Sequence, residues 1–292
     1  MRRSFVIAAA LTVVATLATV GRSTTAISNG VDATDYFGDM SGTGQDWAKQ
    51  RLAKSPRHSE WVKVRDGKRT INCFVSYPDT KDKTAAVVVV HEILGLTDWV
   101  RDMTDELAEA GYIAIAPDLL SEMGPDGGGS TQFPDRDSLV HATMKLPPDQ
   151  ITADLTAVSD FVAKLPSCNH KVIAAGFGWG GGQAFRFATN RMNLKAAFVF
   201  YGAPADKASM ARIKCTVYGF YGSKDERITP TVGPAIEAMK AAGKNYDPVT
   251  YDSAGHGFMR AGDDPGNGNV DNKKAHDDAW QRWLGILKEL NH

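Results

Sequence analysis

Two segments of this sequence contain residue types that could perform proton transfer at one site, and a third could form a tight turn beside them. His256 lies in the segment 253–258, and Asp225 ends the segment 221–225. A histidine can accept and return a proton near neutral pH, and a neighbouring carboxylate can fix its tautomer and stabilise the imidazolium. The segment 176–182 contains five glycines, which is typical of a turn where backbone segments approach closely. These residues predict a base and its orienting acid beside a tight turn.

The elements that must position these residues alternate along the chain. A continuous, largely β-branched run at 85–90 predicts a strand covered on both faces. Further strands are predicted at 112–116, 171–175, 196–201, 215–221 and 248–252, and a hairpin at 61–77. Helices are predicted at 98–110, 150–165, 181–190, 233–242 and 274–290. This alternation predicts an α/β fold, with a mostly parallel sheet and helices on both faces.

The glycine-rich segment occupies a defined place in this pattern. It follows the strand 171–175, precedes a helix and has the form Gly-x-X-x-Gly, with Gly178 at its centre. A strand–turn–helix of this form is typical of a nucleophile elbow, and the chain order elbow, Asp225, His256 is that of an α/β-hydrolase triad. Because ligands bind at the carboxyl ends of parallel strands, we expect the three to meet there. The predicted fold class is therefore the α/β-hydrolase fold.

The sequence resembles the dienelactone hydrolase family from about residue 61 to 290. The resemblance rests on HEILGL (91–96), APDL (116–119), GFGWGG (176–181), YG (201–202) and AGHGFMR (254–260). It implies hydrolysis of small esters or lactones, with no metal or organic cofactor.

The resemblance also implies roles for individual residues. The backbone N–H groups of Ile93 and Trp179 are implied to be oxyanion donors, and Glu92 is implied to lie beside the nucleophile and control its ionisation. Arg260 and Tyr201 are implied to contact the substrate, with Arg260 binding a substrate carboxylate.

The sequence departs from the family at the centre of the elbow. Family members have cysteine there, sometimes serine, whereas this chain has Gly178, which cannot form an acyl-enzyme. Cys168 and Cys215 are predicted at the amino edge of the sheet, and Cys73 in the hairpin. Ser223 and Ser253 occupy no elbow. No other residue is therefore predicted to replace the nucleophile.

Three interpretations of Gly178 follow. A water molecule activated by His256 replaces the missing side chain in a hydrolase. Alternatively, the chain is a non-catalytic small-molecule binding protein on the same scaffold. In the third interpretation, Gly178 replaces an original cysteine. The presence of Asp225, His256 and Glu92 favours the first and third.

Composition limits the other classes of function. The chain has 292 residues and a net charge of -1, which argues against a nucleic-acid surface. Three cysteines without a CxxC pair argue against a disulfide scaffold or a zinc site. The elbow lacks the Lys-Ser/Thr of a phosphate-binding loop. The glycine-rich segment 121–136 is predicted to be functional or mobile, and Arg136 in it could reach an anionic substrate or lie in solvent.

The first residues predict export. Arg2 and Arg3, an apolar run at 5–20 and then small residues give residues 1–26 the pattern of a secretory signal peptide. The alternative is an uncleaved anchor, although this run is shorter than the roughly 20 residues that span a bilayer. The predicted organisation is a signal peptide (1–26), an N-terminal arm (27–56) and a hydrolase-like domain (57–292). The mature protein is expected in the periplasm or outside the cell, without stable membrane insertion.

Overall fold

The structure is a computed structural model that describes residues 45–291. The predicted signal peptide and residues 27–44 of the predicted arm lie outside this range. None of the helices between residues 45 and 291 is long and apolar enough to cross a membrane.

One eight-stranded sheet organises the described chain, in the order β1-β2-β4-β3-β5-β6-β7-β8. The strands are β1 (Ser59–Asp66), β2 (Arg69–Ser76), β3 (Thr84–Val90), β4 (Ile113–Pro117), β5 (Cys168–Phe177), β6 (Ala196–Phe200), β7 (Thr216–Gly222) and β8 (Tyr246–Tyr251). β2 pairs antiparallel with both β1 and β4. From β4 to β8 every neighbouring pair is parallel. The predicted mostly parallel sheet is confirmed.

Helices cover both faces of this sheet. They are α1 (Asp46–Lys54), α2 (Asp98–Glu109), α3 (Arg136–Met144), α4 (Pro148–Ala163), α5 (Trp179–Asn190), α6 (Lys207–Met210), α7 (Val232–Ala241), α8 (Phe258–Asp263) and α9 (Val270–Asn291). α4, α5 and α7 pack on one face, and α2, α8 and α9 on the other. The sequence pattern predicted α2, α4, α5, α7 and α9 with bounds that differ by up to four residues, but it did not predict α3, α6 or α8.

The central strand β3 shows why this sheet is buried on both faces. Its residues Ala86, Val88 and Val90 pack in the core beneath α4 and α5. The alternate residues Ala85, Val87 and Val89 pack in the core beneath α2 and α9. Because successive strand residues point to opposite faces, only a continuous apolar run can supply both cores. Each buried valine contributes about 1.5–3 kcal/mol relative to exposure.

The end of the predicted arm packs on the domain. Ala48 of α1 is fully buried, and the N–H of Trp99 donates to Oε1 of Gln45 at 2.8 Å. Arg51 lies between two other helices, with Nε 3.2 Å from Asp102 of α2 and Nη1 2.7 Å from Asp263 of α8. α1 therefore braces α2 against the short helix that follows His256.

The glycine-rich segment after β4 is anchored at its centre. The N–H and hydroxyl of Ser130 donate to Asp118, at 2.8 and 2.6 Å, and the Ser130 hydroxyl accepts the N–H of Leu96 at 3.1 Å. A β-carbon on Gly95 would collide with this hydroxyl at 2.1 Å. The segment is thus tied to the end of β4 and to the loop after β3. α3 begins at Arg136, inside the predicted loop.

Candidate active site

Three glycines of the elbow are required by close backbone contacts. β5 ends at Phe177, and α5 begins at Trp179. A β-carbon on Gly176 would lie 2.1 Å from the carbonyl oxygen of Gly180, and one on Gly180 would lie 2.2 Å from that of His91. A β-carbon on Gly181 would lie 2.7 Å from the carbonyl oxygen of Phe200. Strand, helix and the loop after β3 therefore meet at distances that only glycine permits.

Gly178 differs from these three because the space beside it is open. Its φ of 53° and ψ of -116° form the sharp turn at the start of α5. A β-carbon there would have its nearest neighbours at 3.5 Å (His256 Nε2), 3.8 Å (Tyr201 Cε2) and 3.9 Å (Glu92 Oε1). These are ordinary contact distances. The centre of the elbow therefore faces a base and a carboxylate across a space that a side chain could occupy.

The predicted acid and base are in direct contact. Asp225 follows β7, His256 follows β8, and His256 Nδ1 lies 2.5 Å from Oδ2 of Asp225. The other carboxylate oxygen accepts the N–H groups of Ile228 at 3.0 Å and Arg227 at 3.2 Å. Burial acts to raise the pKa of Asp225, but the hydrogen bond and charge of His256 outweigh it and hold that pKa below its ordinary value. An ionised Asp225 keeps the proton on Nδ1, so that Nε2 faces Gly178 as an acceptor.

Glu92, Tyr201 and Arg260 form a second polar group beside Gly178. Oε2 of Glu92 accepts a hydrogen bond from Arg260 Nε at 2.9 Å, and Oε1 accepts one from the Tyr201 hydroxyl at 3.4 Å. Burial and the Glu92 charge raise the pKa of Tyr201 well above its ordinary value. Burial acts to lower the pKa of Arg260, but the Glu92 charge outweighs it and the pKa is raised. The structure thus places Arg260 against Glu92, and its predicted contact with a substrate carboxylate stays a prediction.

The two implied oxyanion donors lie in segments that meet at the elbow. Trp179 is the first residue of α5, so its N–H has no acceptor within the helix and lies at the positive end of the helix dipole. Ile93 lies in the loop after β3, next to Glu92. The two segments come together there, because a β-carbon on Gly180 would lie 2.2 Å from the carbonyl oxygen of His91, and the oxyanion role of the two N–H groups stays a prediction.

Arg227 was not among the predicted site residues. Its Nη2 lies 3.4 Å from Nε2 of His256. A guanidinium can only donate, so this contact agrees with an unprotonated Nε2. The sequence did contain a signal for this contact. Arg227 follows Asp225 by two residues, and an aspartate side chain often accepts the backbone N–H of the residue two positions later, which turns the chain back towards the carboxylate.

The cysteines lie where the sequence predicted, away from the elbow. Cys168 begins β5, Cys215 immediately precedes β7, and Cys73 lies on β2. All three are free thiols. Burial raises the pKa of Cys215 to about 11 and raises those of Cys73 and Cys168. None is therefore a thiolate near neutral pH, the form in which a cysteine acts as a nucleophile.

One cluster of carboxylates outside this site has the spacing of metal ligands. It consists of Asp102, Glu106 and Asp263. Arg51 contacts all three, and its guanidinium therefore lies where a cation would bind. The cluster fixes α1 to the domain.

The strand order and the chain order of elbow, aspartate and histidine place this protein among the α/β-hydrolases. Within that class it belongs to the dienelactone hydrolase family, whose model matches residues 71–291.

Individual relatives agree with this assignment. A protein of Escherichia coli K12 named "Putative carboxymethylenebutenolidase" is 30% identical over 220 residues, which cover 70% of this chain and 76% of that protein. One of the same name from Saccharolobus solfataricus is 27% identical over 258 residues, covering 76% and 95%. The crystal structure of a "Putative Dienelactone Hydrolase" from Klebsiella pneumoniae matches with a TM-score of 0.70 and 26% identity, covering 80% of this chain and 98% of that one.

Proposed function

We propose that this protein hydrolyses a small ester or lactone, with a water molecule bound above Gly178 as the nucleophile. The observation that carries the proposal is the pair of proton acceptors around the open centre of the elbow. His256 Nε2 and Glu92 Oε1 lie 3.5 and 3.9 Å from the β-carbon position of Gly178. Membership of a hydrolase family supports the reaction class.

The space above Gly178 suits a water molecule. A buried water needs room for about one probe sphere and two to four polar partners. A water oxygen near the missing side chain could donate one hydrogen bond to His256 Nε2 and the other to Glu92 Oε1. Its remaining lone pairs would then face a substrate carbonyl held above the elbow. Arg260 and Tyr201 hold the Glu92 carboxylate in place for this contact.

The reaction then needs one nucleophilic step and no acyl-enzyme. The water oxygen bonds to the carbonyl carbon while its proton passes to His256 Nε2, and Asp225 stabilises the imidazolium. The N–H groups of Trp179 and Ile93 stabilise the oxyanion. The intermediate collapses, and the imidazolium returns its proton to the departing alkoxide. The products are an acid and an alcohol, or one hydroxy acid from a lactone. Without a covalent nucleophile, acceleration should be modest, on the order of 10³ over water.

A second candidate function is supported by Arg227. Its guanidinium lies against Nε2 of His256, the atom that must accept the proton of the water. When His256 Nε2 accepts a hydrogen bond from Arg227 and the elbow has no nucleophilic side chain, the site suits a non-catalytic protein that binds a small ester or lactone. In this alternative, the elbow and the oxyanion donors contribute binding only.

One set of variants separates these functions. The native protein, His256→Ala and Gly178→Cys are assayed against an activated short ester and a dienelactone. His58→Ala, with a side chain 71% exposed, is the control. A native rate lost in His256→Ala and kept in His58→Ala supports water-based hydrolysis. Activity only in Gly178→Cys supports the binding protein or a replaced cysteine. Inactivity of both folded proteins refutes a hydrolase.

We also propose export of this protein after cleavage near residue 26. The basic start, the apolar run at 5–20 and the following small residues support this. The test is mass spectrometry of the N-terminus of protein recovered from outside the cytoplasm. A chain that retains Met1 and stays with the cytoplasmic fraction contradicts the proposal.

A further inference from the structure

Both ring nitrogens of His91 are hydrogen bonded to backbone groups. This fully buried residue follows β3. Its Nε2 accepts the N–H of Leu119 at 3.3 Å, and its Nδ1 lies 2.7 Å from the carbonyl oxygen of Glu92. An N–H can only donate and a carbonyl can only accept, so the ring is neutral and carries its proton on Nδ1. Burial lowers the pKa of His91, although the charge of Asp118 acts in the opposite direction, which agrees with a neutral ring.

The bond from Nδ1 fixes the orientation of one particular peptide. The carbonyl of Glu92 belongs to the same planar unit as the N–H of Ile93, and the two point in opposite directions in a trans peptide. The described chain has no cis peptide. The same carbonyl oxygen also accepts the N–H of Gly95 at 3.1 Å. With two donors on this oxygen, the direction of the Ile93 N–H is set.

The same ring contacts the other side of the oxyanion site. Its plane stacks on the indole of Trp179, with centroids 5.5 Å apart and 14° between the planes. The backbone of His91 also lies against α5, because a β-carbon on Gly180 would approach the carbonyl oxygen of His91 to 2.2 Å. His91 thus contacts both segments that supply oxyanion donors, the loop after β3 and the first turn of α5.

We propose that His91 is a positioning residue that aligns the N–H of Ile93 with that of Trp179 as joint donors to the reacting oxyanion. The inference rests on the proposed function, because it assumes an ester or lactone carbonyl bound above Gly178. His91 touches neither substrate nor the attacking water. It acts through the Glu92–Ile93 peptide and through the Trp179 ring.

Three substitutions separate the roles of the two ring nitrogens. In His91→Asn, the amide nitrogen can take the place of Nδ1 and still donate to the Glu92 carbonyl. In His91→Gln, the amide oxygen can take the place of Nε2 and still accept from Leu119, but the bond to Glu92 is lost. His91→Ala loses both. His170→Asn is the matched control, because its Nδ1 also contacts a backbone carbonyl, that of Ala163 at 2.8 Å, at the start of β5.

Kinetic constants for an activated short ester give the first readout. Loss of one oxyanion donor lowers kcat by about 10²–10³, so a misaligned donor should lower it about 10–100-fold in His91→Gln and His91→Ala. KM should change little, and His91→Asn should stay within about threefold of the native kcat. A purely structural role would lower stability without this order among the variants. Equal kcat values for the Asn and Gln variants would overturn the inference.

The same series is run in the Gly178→Cys background, so that the two proposals can fail separately. If the native protein does not hydrolyse the ester and Gly178→Cys does, only the proposed function fails. The His91 variants in the Gly178→Cys background then still test the positioning role of His91. If the native protein is active and the three His91 variants have equal kcat values, only the inference about His91 fails. If neither the native protein nor Gly178→Cys hydrolyses the ester, no oxyanion forms, and the proposed function and the inference about His91 both fail.

Long-range proton–nitrogen NMR of the histidine rings gives a readout that needs no activity. The His91 resonances, assigned by their loss in His91→Gln, should show Nδ1 protonated and Nε2 unprotonated near neutral pH. A ring protonated on Nε2, or on both nitrogens, would contradict the inference because Leu119 could not then donate to it.

Discussion

Nε2 of His256 lies 3.5 Å from the point where a β-carbon would stand on Gly178. The histidine is therefore already placed for a group at the centre of the elbow, although the chain supplies none. Asp225 holds the other ring nitrogen at 2.5 Å, so the base is oriented before any substrate binds. The position of the base is thus fixed, and the chemistry of the site depends on the group that occupies the small space beside Gly178.

Filling that space should stop the native reaction. In Gly178→Ala, the methyl group takes the position of the proposed water, so hydrolysis should fall to the level of His256→Ala. The φ of 53° at Gly178 should also cost about 1–2 kcal/mol of stability. Ester hydrolysis and urea denaturation measure the two effects.

Gly67→Ala is the matched control for this substitution. Gly67 also has a positive φ, 57°, and no atom lies within 4 Å of its β-carbon position in the turn between β1 and β2. It should lose similar stability and keep full activity. A Gly178→Ala protein with native turnover would exclude water at this position.

Removing the charge of Asp225 should slow the reaction strongly. Asp225→Asn leaves the imidazole without the anion that fixes its tautomer and stabilises its protonated form, so kcat should fall about 10²–10³-fold, towards the uncatalysed rate. Asp247→Asn is the control, because Asp247 is an exposed carboxylate paired with Arg282 at 3.0 Å. Steady-state kinetics at one pH is the measurement. A rate unchanged by Asp225→Asn would show that His256 is not the base.

Stability should fall as pH rises through the range in which Asp102 ionises. Burial raises the pKa of Asp102 to about 7, and Arg51 at 3.2 Å offsets this only in part. Between an unfolded value of about 3.9 and this folded value, the folded state binds more protons than the unfolded state. The free energy of unfolding should therefore decrease across that window, by up to about 4 kcal/mol.

Urea denaturation at about pH 5 and about pH 8 tests this dependence. Asp102→Asn cannot ionise and should remove most of the decrease. Asp160→Asn, which changes an exposed carboxylate paired with Arg191, should retain it. A native slope that persists in Asp102→Asn would assign the titration to another group.

Arg227 should distinguish anionic from neutral substrates. Its guanidinium lies beside His256 Nε2, so we expect it to reach a carboxylate on a substrate bound above Gly178. A hydrogen bond to a charged group contributes about 1.5–3 kcal/mol, so Arg227→Gln should lower kcat/KM about 10–100-fold more for an ester with a free carboxylate than for a neutral ester.

Arg260→Gln provides the comparison. It removes the cation that contacts Glu92, so it should lower kcat/KM for both esters alike. Arg186→Gln, at a surface pair with Asp149, is the neutral control. If Arg260→Gln alone discriminates between the esters, the carboxylate role belongs to Arg260, as the family resemblance implies.

The elements that were predicted correctly from the sequence are those with a strong local pattern of apolar residues. β3 appears as an apolar run because both of its faces are buried. The meeting of Gly178, Asp225 and His256 was predictable because the carboxyl ends of parallel strands share one edge. α3 carried a weaker signal, the Asp135 carboxylate that caps the N–H of Ser138 at 2.7 Å. Loop-like composition around it concealed this cap.

Other features depend on contacts that no local pattern encodes. α8 contains Gly262, where a β-carbon would lie 2.3 Å from the carbonyl oxygen of Asn272 in α9, so its short helix forms against a distant partner. Arg51 meets carboxylates 51 and 212 residues away in the chain. The contact of Arg227 with His256 likewise needs the end of β7 and the end of β8 side by side.

The glycines of the elbow differ in what mutation can make of them. At Gly176, Gly180 and Gly181, any larger residue would collide with a neighbouring backbone, so we expect no substitution to be tolerated at these three positions. A single base substitution converts the glycine codons GGU and GGC to cysteine or serine codons, and at Gly178 either side chain would enter the space beside His256. Where Gly178 has one of these codons, one base change would place a thiol or a hydroxyl beside His256 and leave Asp225 and Glu92 unaltered.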